Sequence, residues 1–272
     1  MSLKSDSYKE FTEVELMTCA AARLFEDAKT YFIGFGMPQL AGLLAQRLYT
    51  PNMTMAYEYG VLAPKIKVPF HDLIMGHSND NYKAVAWLSM NGIFTHAALG
   101  FFDYGILGAV EIDRFGNINS TIVGDDYQKP KGRFPGSGGA NEIASLCWRT
   151  IVVLVHEKRR FKEKVNFITS PGYLDGSPGA REKVGLPSQT GPYRCVSSKA
   201  IFGYDEETRE MKLRGALAGS TPKAVLAEME FTPLVEDHVE QIVPPSPDEL
   251  RILREEIDPN NLVIKKGKVI RI

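Results

Sequence analysis

"KTYFIGFGMPQLAGLLAQRLYTPNMTMAYEYG", residues 29–60, carries the pattern that decides the fold. Residues 29–36 are a short apolar run ending in glycine, which reads as a buried strand. Residues 37–50 place apolar side chains at helical spacing, with Pro38 suited to a first turn. "MTMAYEYG" (53–60) then returns to alternation and a second glycine. Strand, glycine turn, helix and strand in this order form a βαβ unit, which implies a parallel sheet with helical cover.

The last strand of that unit raises a question of chemistry. Met53, Met55, Tyr57 and Tyr59 share one face, and Thr54, Ala56 and Glu58 share the other. Glu58 thus stands on a face of small residues at the carboxyl end of its strand. Ligands of open α/β sheets bind outside that edge. Gly60 permits close backbone approach or a positive φ. A buried carboxylate is paired, neutralised or used. Local pattern leaves two readings open: a strand-end glutamate paired with arginine or water, or a nucleophile.

Outward from this unit, "FTEVELMTCAAARLFEDA" (11–28) reads as a helix capped by Thr12, with Glu15 completing a capping box. Residues 63–80 read as loop and 81–91 as helical. A strand is expected over 105–113, a turn at "RFGN" (114–117), and strands at 150–157 and 165–170. Residues 170–192 are rich in Gly, Pro and Ser and read as a long ordered loop. A strand pair at 193–205 and a short helix at 222–229 follow. "SPDELRILREEIDP" (246–259) has Ser246 as cap, Pro247 in the first turn, Glu249 in a capping box and Pro259 at the exit. No repeat or compositional break divides the 272 residues, so a single domain over 1–272 is expected, with the helix 246–258 packed on it.

The glycine-rich "GSGGANEIAS" (136–145) precedes helical spacing, and backbone N–H groups there can hold a phosphate or an oxyanion. It lacks the G-K-[ST] ending of a Walker loop. A tight turn without ligand is the equal alternative. "GFGMPQLAG" (34–42) is a second glycine turn into a helix, compatible with anion binding or with close strand–helix packing. "HEKRRFKEK" (156–164) could attract phosphorylated ligands, but its acids and its place between strands favour a solvated turn.

Bulk properties exclude several classes. Hydrophobic content of 44% and charged content of 24% are those of a globular protein. A net charge of −1 argues against a nucleic-acid partner. No apolar run approaches a bilayer span, and the polar N-terminus lacks the apolar core of a signal peptide. A cytoplasmic protein with no membrane partner is therefore expected. Cys19, Cys147 and Cys195 show no C-x-x-C spacing and read as reduced, buried thiols. The five histidines show no ligand spacing, so no metal site is expected.

Seven stretches in order, "GFGMPQLAGLLAQRLYTPN" (34–52), "YEYG" (57–60), "LGAVEIDRFGNINST" (107–121), "FPGSGGAN" (134–141), "HEKRRF" (156–161), "TSPGYLDG" (169–176) and "LREEIDP" (253–259), resemble the class I coenzyme A transferases, in particular β (B-type) chains of the glutaconate CoA-transferase kind. The resemblance runs from about residue 10 to 262. It implies an open, mostly parallel α/β sheet with helices on both faces. It also implies transfer of CoA from an acyl-CoA to a carboxylic acid, dicarboxylic or short-chain, through a mixed anhydride and a glutamyl-CoA thioester on a β-subunit glutamate. Glu58 matches that glutamate. The family's usual run is Glu, Ser or Asn, then Gly, whereas Tyr59 stands in the middle here. By the same resemblance, Gly138 and Gly139, followed by Ala140 and Asn141, match the glycine loop at the acyl oxygen. Gly34, Gly36 and Gly60 are assigned to the substrate and CoA pocket. Coenzyme A is implied as substrate, with no cofactor bound permanently. A separate A (α) subunit is implied as partner in an (AB)2 assembly, and a β chain on its own should expose an apolar patch. Members recruited as decarboxylases or ring-opening hydrolases of CoA esters resemble the fold but have replaced this glutamate; retention of Glu58 favours transfer.

Overall fold

The computed structural model describes residues 10–69, 76–124, 126–264 and 267–271. A ten-stranded sheet runs through it, in the spatial order Leu234–Ile242, Met211–Leu217, Ala200–Tyr204, Gly191–Ser197, Arg149–Leu154, Tyr104–Gly108, Thr30–Ile33, Thr54–Ala56, Val61–Leu62 and Ala86–Trp87. The five central strands, from Gly191–Ser197 to Thr54–Ala56, are mutually parallel. Hairpin partners extend the sheet antiparallel on either side. The sheet is thus mixed but mostly parallel, as expected.

Alternation along the central strands builds two cores. Tyr31, Ile33, Ile151, Val153 and Val196 face one side, while Phe32, Val152, Leu154 and Cys195 face the other. Helices α1 (Glu13–Ala22) and α2 (Met37–Leu48) cover the first face. Helices α3 (Met90–Ala98) and α4 (Ala140–Leu146) pack side by side on the second. Burying both faces is what a parallel sheet requires.

Both capping boxes read from sequence are present. Thr12 Oγ1 accepts from Glu15 N at 3.1 Å, and Glu15 Oε2 accepts from Thr12 N at 2.7 Å. Ser246 and Glu249 repeat the arrangement at the start of Pro247–Arg251. Arg23 Nε donates to Glu249 Oε1 at 2.8 Å and Arg254 Nε to Glu15 Oε1 at 2.6 Å, so the C-terminal helical segment is clamped to α1. The segment beyond Arg251 is a π-helical turn, Ile252–Ile257, rather than continued α-helix.

Several boundaries differ from expectation. The strand read over 53–59 spans only Thr54–Ala56, because Gly60 N–H closes a turn on Tyr57 O at 3.0 Å. Of residues 81–91 only 90–91 are helical: Ala86–Trp87 pairs with Val61–Leu62, and the helix starts only after the Ser89 cap. The strand 105–113 is two strands, Tyr104–Gly108 and Glu111–Asp113, the second in a separate three-stranded sheet. Residues 165–170 form no strand. One bridge joins Ile118 to Ser170, and the Thr169 hydroxyl accepts from Ser120 N at 2.8 Å instead. In the loop read over 63–80, 63–69 and 76–80 have no helix or strand, and 70–75 lie outside the described residues, as does the N-terminal stretch 1–9.

Candidate active site

Five parallel strands deliver their carboxyl ends to one edge, and the candidate site lies there. Phe32 and Ala56 are register partners on neighbouring strands. Two residues further on, the chain reaches Gly34 just past the end of one strand and Glu58 just past the end of the other. Glu58 sits half-buried in the turn between Thr54–Ala56 and Val61–Leu62. Tyr57 N–H donates to Val61 O at 3.0 Å, and Leu88 N–H donates to Gly60 O at 2.8 Å. Gly60 has φ +102°, and a Cβ there would overlap the Leu88 carbonyl. This turn therefore accepts only glycine at its fourth position.

Gly139 N–H donates to Glu58 Oε2 at 2.8 Å. Gly139 is the N-cap of α4, and a side chain on it would overlap Glu58 Oε2 and come within 2.6 Å of Phe94 Cζ. Its neighbour Gly138 has φ +48°, and a Cβ built there would lie 3.8 Å from both Glu58 carboxylate oxygens. Two consecutive glycines thus let the backbone lie against the carboxylate. Among the described residues no lysine or arginine forms an ion pair with Glu58; its partner there is the backbone amide. A charge-assisted bond of this kind is about twice as strong as a neutral one and fixes the carboxylate's direction.

The remaining residues divide into those at the edge and those that support it. Gly36, with φ +80°, has no atom within 4 Å of a would-be Cβ and borders open space. Gly34 is a packing glycine: its N–H donates to Ile106 O at 2.8 Å, and a Cβ would lie 2.7 Å from that oxygen. Ala140 packs against the second core. Asn141 does not face Glu58. Its Nδ2 donates to Thr169 O at 3.0 Å, and its Oδ1 accepts from Ser145 Oγ at 3.4 Å, so it ties α4 to the 165–170 segment.

Tyr59 turns to the opposite face of the sheet. Its ring stacks on Tyr57, with centroids 5.7 Å apart at 20°, and packs on the first core. Burial, then the nearby Asp80 carboxylate, push its phenol pKa up. The substitution at this position of the motif therefore leaves the Glu58 side of the turn uncrowded.

Phe94 carries no signal in the sequence. It is half-buried on α3, stacked on Phe32 with centroids 5.3 Å apart at 14°. No local pattern marks it; only the packing of α3 on α4 brings its ring to Gly139.

The basic turn is tied down by its own acid and by a distant one. Arg159 Nε and Arg160 Nε both donate to Glu157 Oε2, at 2.8 and 2.9 Å, while Lys162 pairs with Glu230 at 2.6 Å. His156 lies beneath, buried between Ser197 Oγ at 2.9 Å and Val225 O at 3.1 Å. A carbonyl can only accept, so Nε2 carries the proton, and burial pushes the imidazole pKa down to about 4. The three cysteines are buried, and burial pushes their thiols up. Among the described residues no group of three or more His, Cys, Asp or Glu is placed to hold a metal, and no helix is long and apolar enough to cross a membrane.

Known proteins resemble this chain in sequence and in fold. The family model described as coenzyme A transferase matches residues 14–228. The B subunit of glutaconate CoA-transferase from Acidaminococcus fermentans is 36% identical over 263 residues, covering 95% of this chain and 97% of the relative. The B subunit of 3-oxoadipate CoA-transferase from Pseudomonas knackmussii is 34% identical over 241 residues, covering 88% and 91%. The crystal structure of the Acidaminococcus fermentans glutaconate coenzyme A-transferase superimposes with a TM-score of 0.87 at 33% identity, covering 96% of this chain and 100% of that one.

Proposed function

This chain belongs to the coenzyme A transferase family and is an enzyme of the glutaconate CoA-transferase β-subunit type, and from that premise we propose that Glu58 is the nucleophile of CoA transfer between an acyl-CoA and a carboxylic acid. The observation that carries the reading is the Glu58 carboxylate, held by the Gly139 amide at the carboxyl edge of the sheet.

The chemistry follows from that contact. Glu58 Oε1 attacks the thioester carbonyl carbon, the C–S bond breaks, and CoA leaves as thiolate. The product is a mixed anhydride on Glu58. The thiolate then attacks the glutamyl carbonyl carbon and expels the donor acid, leaving a glutamyl-CoA thioester. In that second step negative charge gathers on Oε2, the atom that already accepts from Gly139 N–H at 2.8 Å. A donor fixed 2.7–3.1 Å from a developing oxyanion is the arrangement that lowers such barriers. The Gly138 amide makes no hydrogen bond to the resting carboxylate; we assign it as a second donor only in the covalent states, since a Cβ on Gly138 would lie 3.8 Å from both carboxylate oxygens. The acceptor acid repeats the two steps in reverse order. Binding of the distant nucleotide end of CoA offsets the strain of the covalent states.

The relatives named above are B subunits, so a separate A (α) subunit is the partner we assign, with the site between the two chains and an (AB)2 assembly. Val85, Trp87 and Met90 flank the Leu88–Gly60 contact with their side chains exposed, which suits a chain docking beside Glu58. Within that assembly this chain acts as one domain of the β-subunit type over 1–272. Dicarboxylic or short-chain acids are the proposed acceptors; retention of the glutamate, and identities of 36% and 34% to transferase subunits against 27% to ring-cleaving hydrolase subunits, favour transfer over recruited lyase or hydrolase activity.

The test is an exchange assay on the chain purified with its α subunit. Donors are acetyl-, succinyl- and glutaryl-CoA; acceptors are acetate, glutarate, glutaconate and 3-oxoadipate. Saturable formation of a new acyl-CoA from at least one pair is expected. Hydrolysis or decarboxylation without transfer across the panel would overturn the reading.

A further inference from the structure

We infer that Phe94 shields the glutamyl thioester from water and so decides whether CoA is transferred or lost to hydrolysis; this rests on the reading of Glu58 as the covalent carrier. An activated glutamyl carbonyl has two competing fates. An acceptor carboxylate attacks it and the CoA thiolate is passed on. Alternatively a water oxygen attacks the same carbon, the C–S bond breaks, CoA leaves as thiolate and takes up one of the water protons, the other goes to solvent, and the Glu58 carboxylate re-forms. The second route turns acyl-CoA and water into acid and CoA. Water is in large excess over any acceptor acid, so excluding it from the site favours transfer.

The structure provides the excluding group. Phe94 Cζ and Glu58 Oε2 both crowd the point where a Gly139 side chain would begin, so ring edge and carboxylate meet across one glycine. The ring is not free to swing. It lies nearly parallel on Phe32, which is fully buried in the strand beside the one that leads to Glu58. Ile93 and Ala97 bury the same helix in the second core, and Ser89 Oγ caps it by accepting from Gly92 N at 3.0 Å. Leu88 N–H, just ahead of the helix, bonds the Glu58 turn through Gly60 O. Ring, helix and nucleophile are thus joined by ring stacking, core packing and a backbone hydrogen bond. A rigid apolar edge beside a carboxylate removes hydration from one side and leaves the other for substrate. Phe94 touches no reacting bond and acts as a positioning and shielding residue.

The experiment compares wild type, Phe94→Leu and Phe94→Ala, each purified with the α subunit and assayed on the fastest donor–acceptor pair of the panel above. New acyl-CoA and free thiol are measured together, and thermal unfolding is recorded for each. Phe94→Ala is expected to raise the ratio of hydrolysis to transfer by roughly tenfold or more, as one face of the thioester opens to solvent. Phe94→Leu, which keeps an apolar cover, should stay within about threefold of wild type. Loss of packing alone would lower both rates together and leave their ratio unchanged. An unchanged ratio in an alanine variant that still transfers overturns the inference and spares the assignment of Glu58. Absence of transfer by wild type overturns both. Should Phe94→Ala fail to fold, Phe94→Thr, whose hydroxyl admits water where leucine excludes it, replaces it, with the lifetime of the wild-type and variant glutamyl-CoA adducts in acceptor-free buffer as readout; a threonine adduct as long-lived as the wild-type one overturns the inference.

Discussion

Gly139 donates its backbone N–H to Glu58 Oε2 at 2.8 Å, joining two residues 81 positions apart in the chain. Gly139 has φ −84° and ψ 2°, angles any residue adopts, so the need for glycine here is steric and not conformational. Gly139→Ala should therefore keep the backbone but push Cβ into Glu58 Oε2 and the Phe94 ring. We expect kcat to fall by roughly 100-fold or more, in the range found when an oxyanion donor is removed, with a smaller loss of stability. Steady-state kinetics and urea unfolding on the complex check this. Normal kinetics for Gly139→Ala, or for the bulkier Gly139→Val, would remove the loop from the mechanism.

Glu58→Gln keeps an oxygen for Gly139 N–H while removing the nucleophile. Turnover should drop by at least about 10⁴-fold, as when a covalent catalyst is deleted. Stability should change by no more than about 0.5 kcal/mol, because the side chain is half-buried and its described partner retains an acceptor. Retained turnover in this variant would make the chain a non-catalytic partner that completes another subunit's site.

Gly60→Ala tests the turn that presents Glu58. The position combines φ +102° with a Cβ that would overlap the Leu88 carbonyl. Both features oppose any side chain, so a cost above about 2 kcal/mol is expected. Equilibrium unfolding measures it, and near-native stability would mean that the turn relaxes freely.

His156 makes stability depend on pH. Its folded pKa is pushed down to about 4, so the unfolded chain, titrating near 6.5, binds the proton more readily. Stability from this group is fully present above pH 6.5 and is lost as pH falls through 6.5 toward 4. Between about pH 7.5 and about pH 5 the loss should be about 2 kcal/mol. Unfolding of wild type and His156→Phe at the two pH values isolates it; equal slopes would place the dependence elsewhere.

Local features of this chain were legible in its sequence. Thr12 with Glu15 and Ser246 with Glu249 cap their helices as read, because a capping box is a contact three residues long. The βαβ unit at 29–60 was equally legible, since period and glycine spacing report it directly. Side-chain direction within a motif was not. Asn141 follows Gly139 by two residues, yet its amide serves Thr169 and Ser145 rather than the site. Tyr59 follows Glu58 and points to the other core. The strands Met211–Leu217 and Leu234–Ile242 were illegible for different reasons. In the first, the alternation of Met211, Lys212, Leu213 and Arg214 lapses at Gly215, where the pairing shifts register. The second is an outer strand carrying Glu236, Asp237 and Glu240; such charges protect an edge and dilute the apolar signal. The meeting of Glu58 with Gly139, and of both with Phe94, depends on packing between distant segments. Only the resemblance to a family brought the first pair together in advance.

The central claim is a covalent bond between Glu58 and the sulfur of CoA. Incubating the complex with an acyl-CoA in the absence of acceptor, then digesting it and weighing the peptides, observes that bond directly. A CoA-sized mass on the peptide containing Glu58, removed by hydroxylamine and absent in Glu58→Gln, is the predicted result. An adduct on another residue, or steady turnover with Glu58 never modified, would contradict the account.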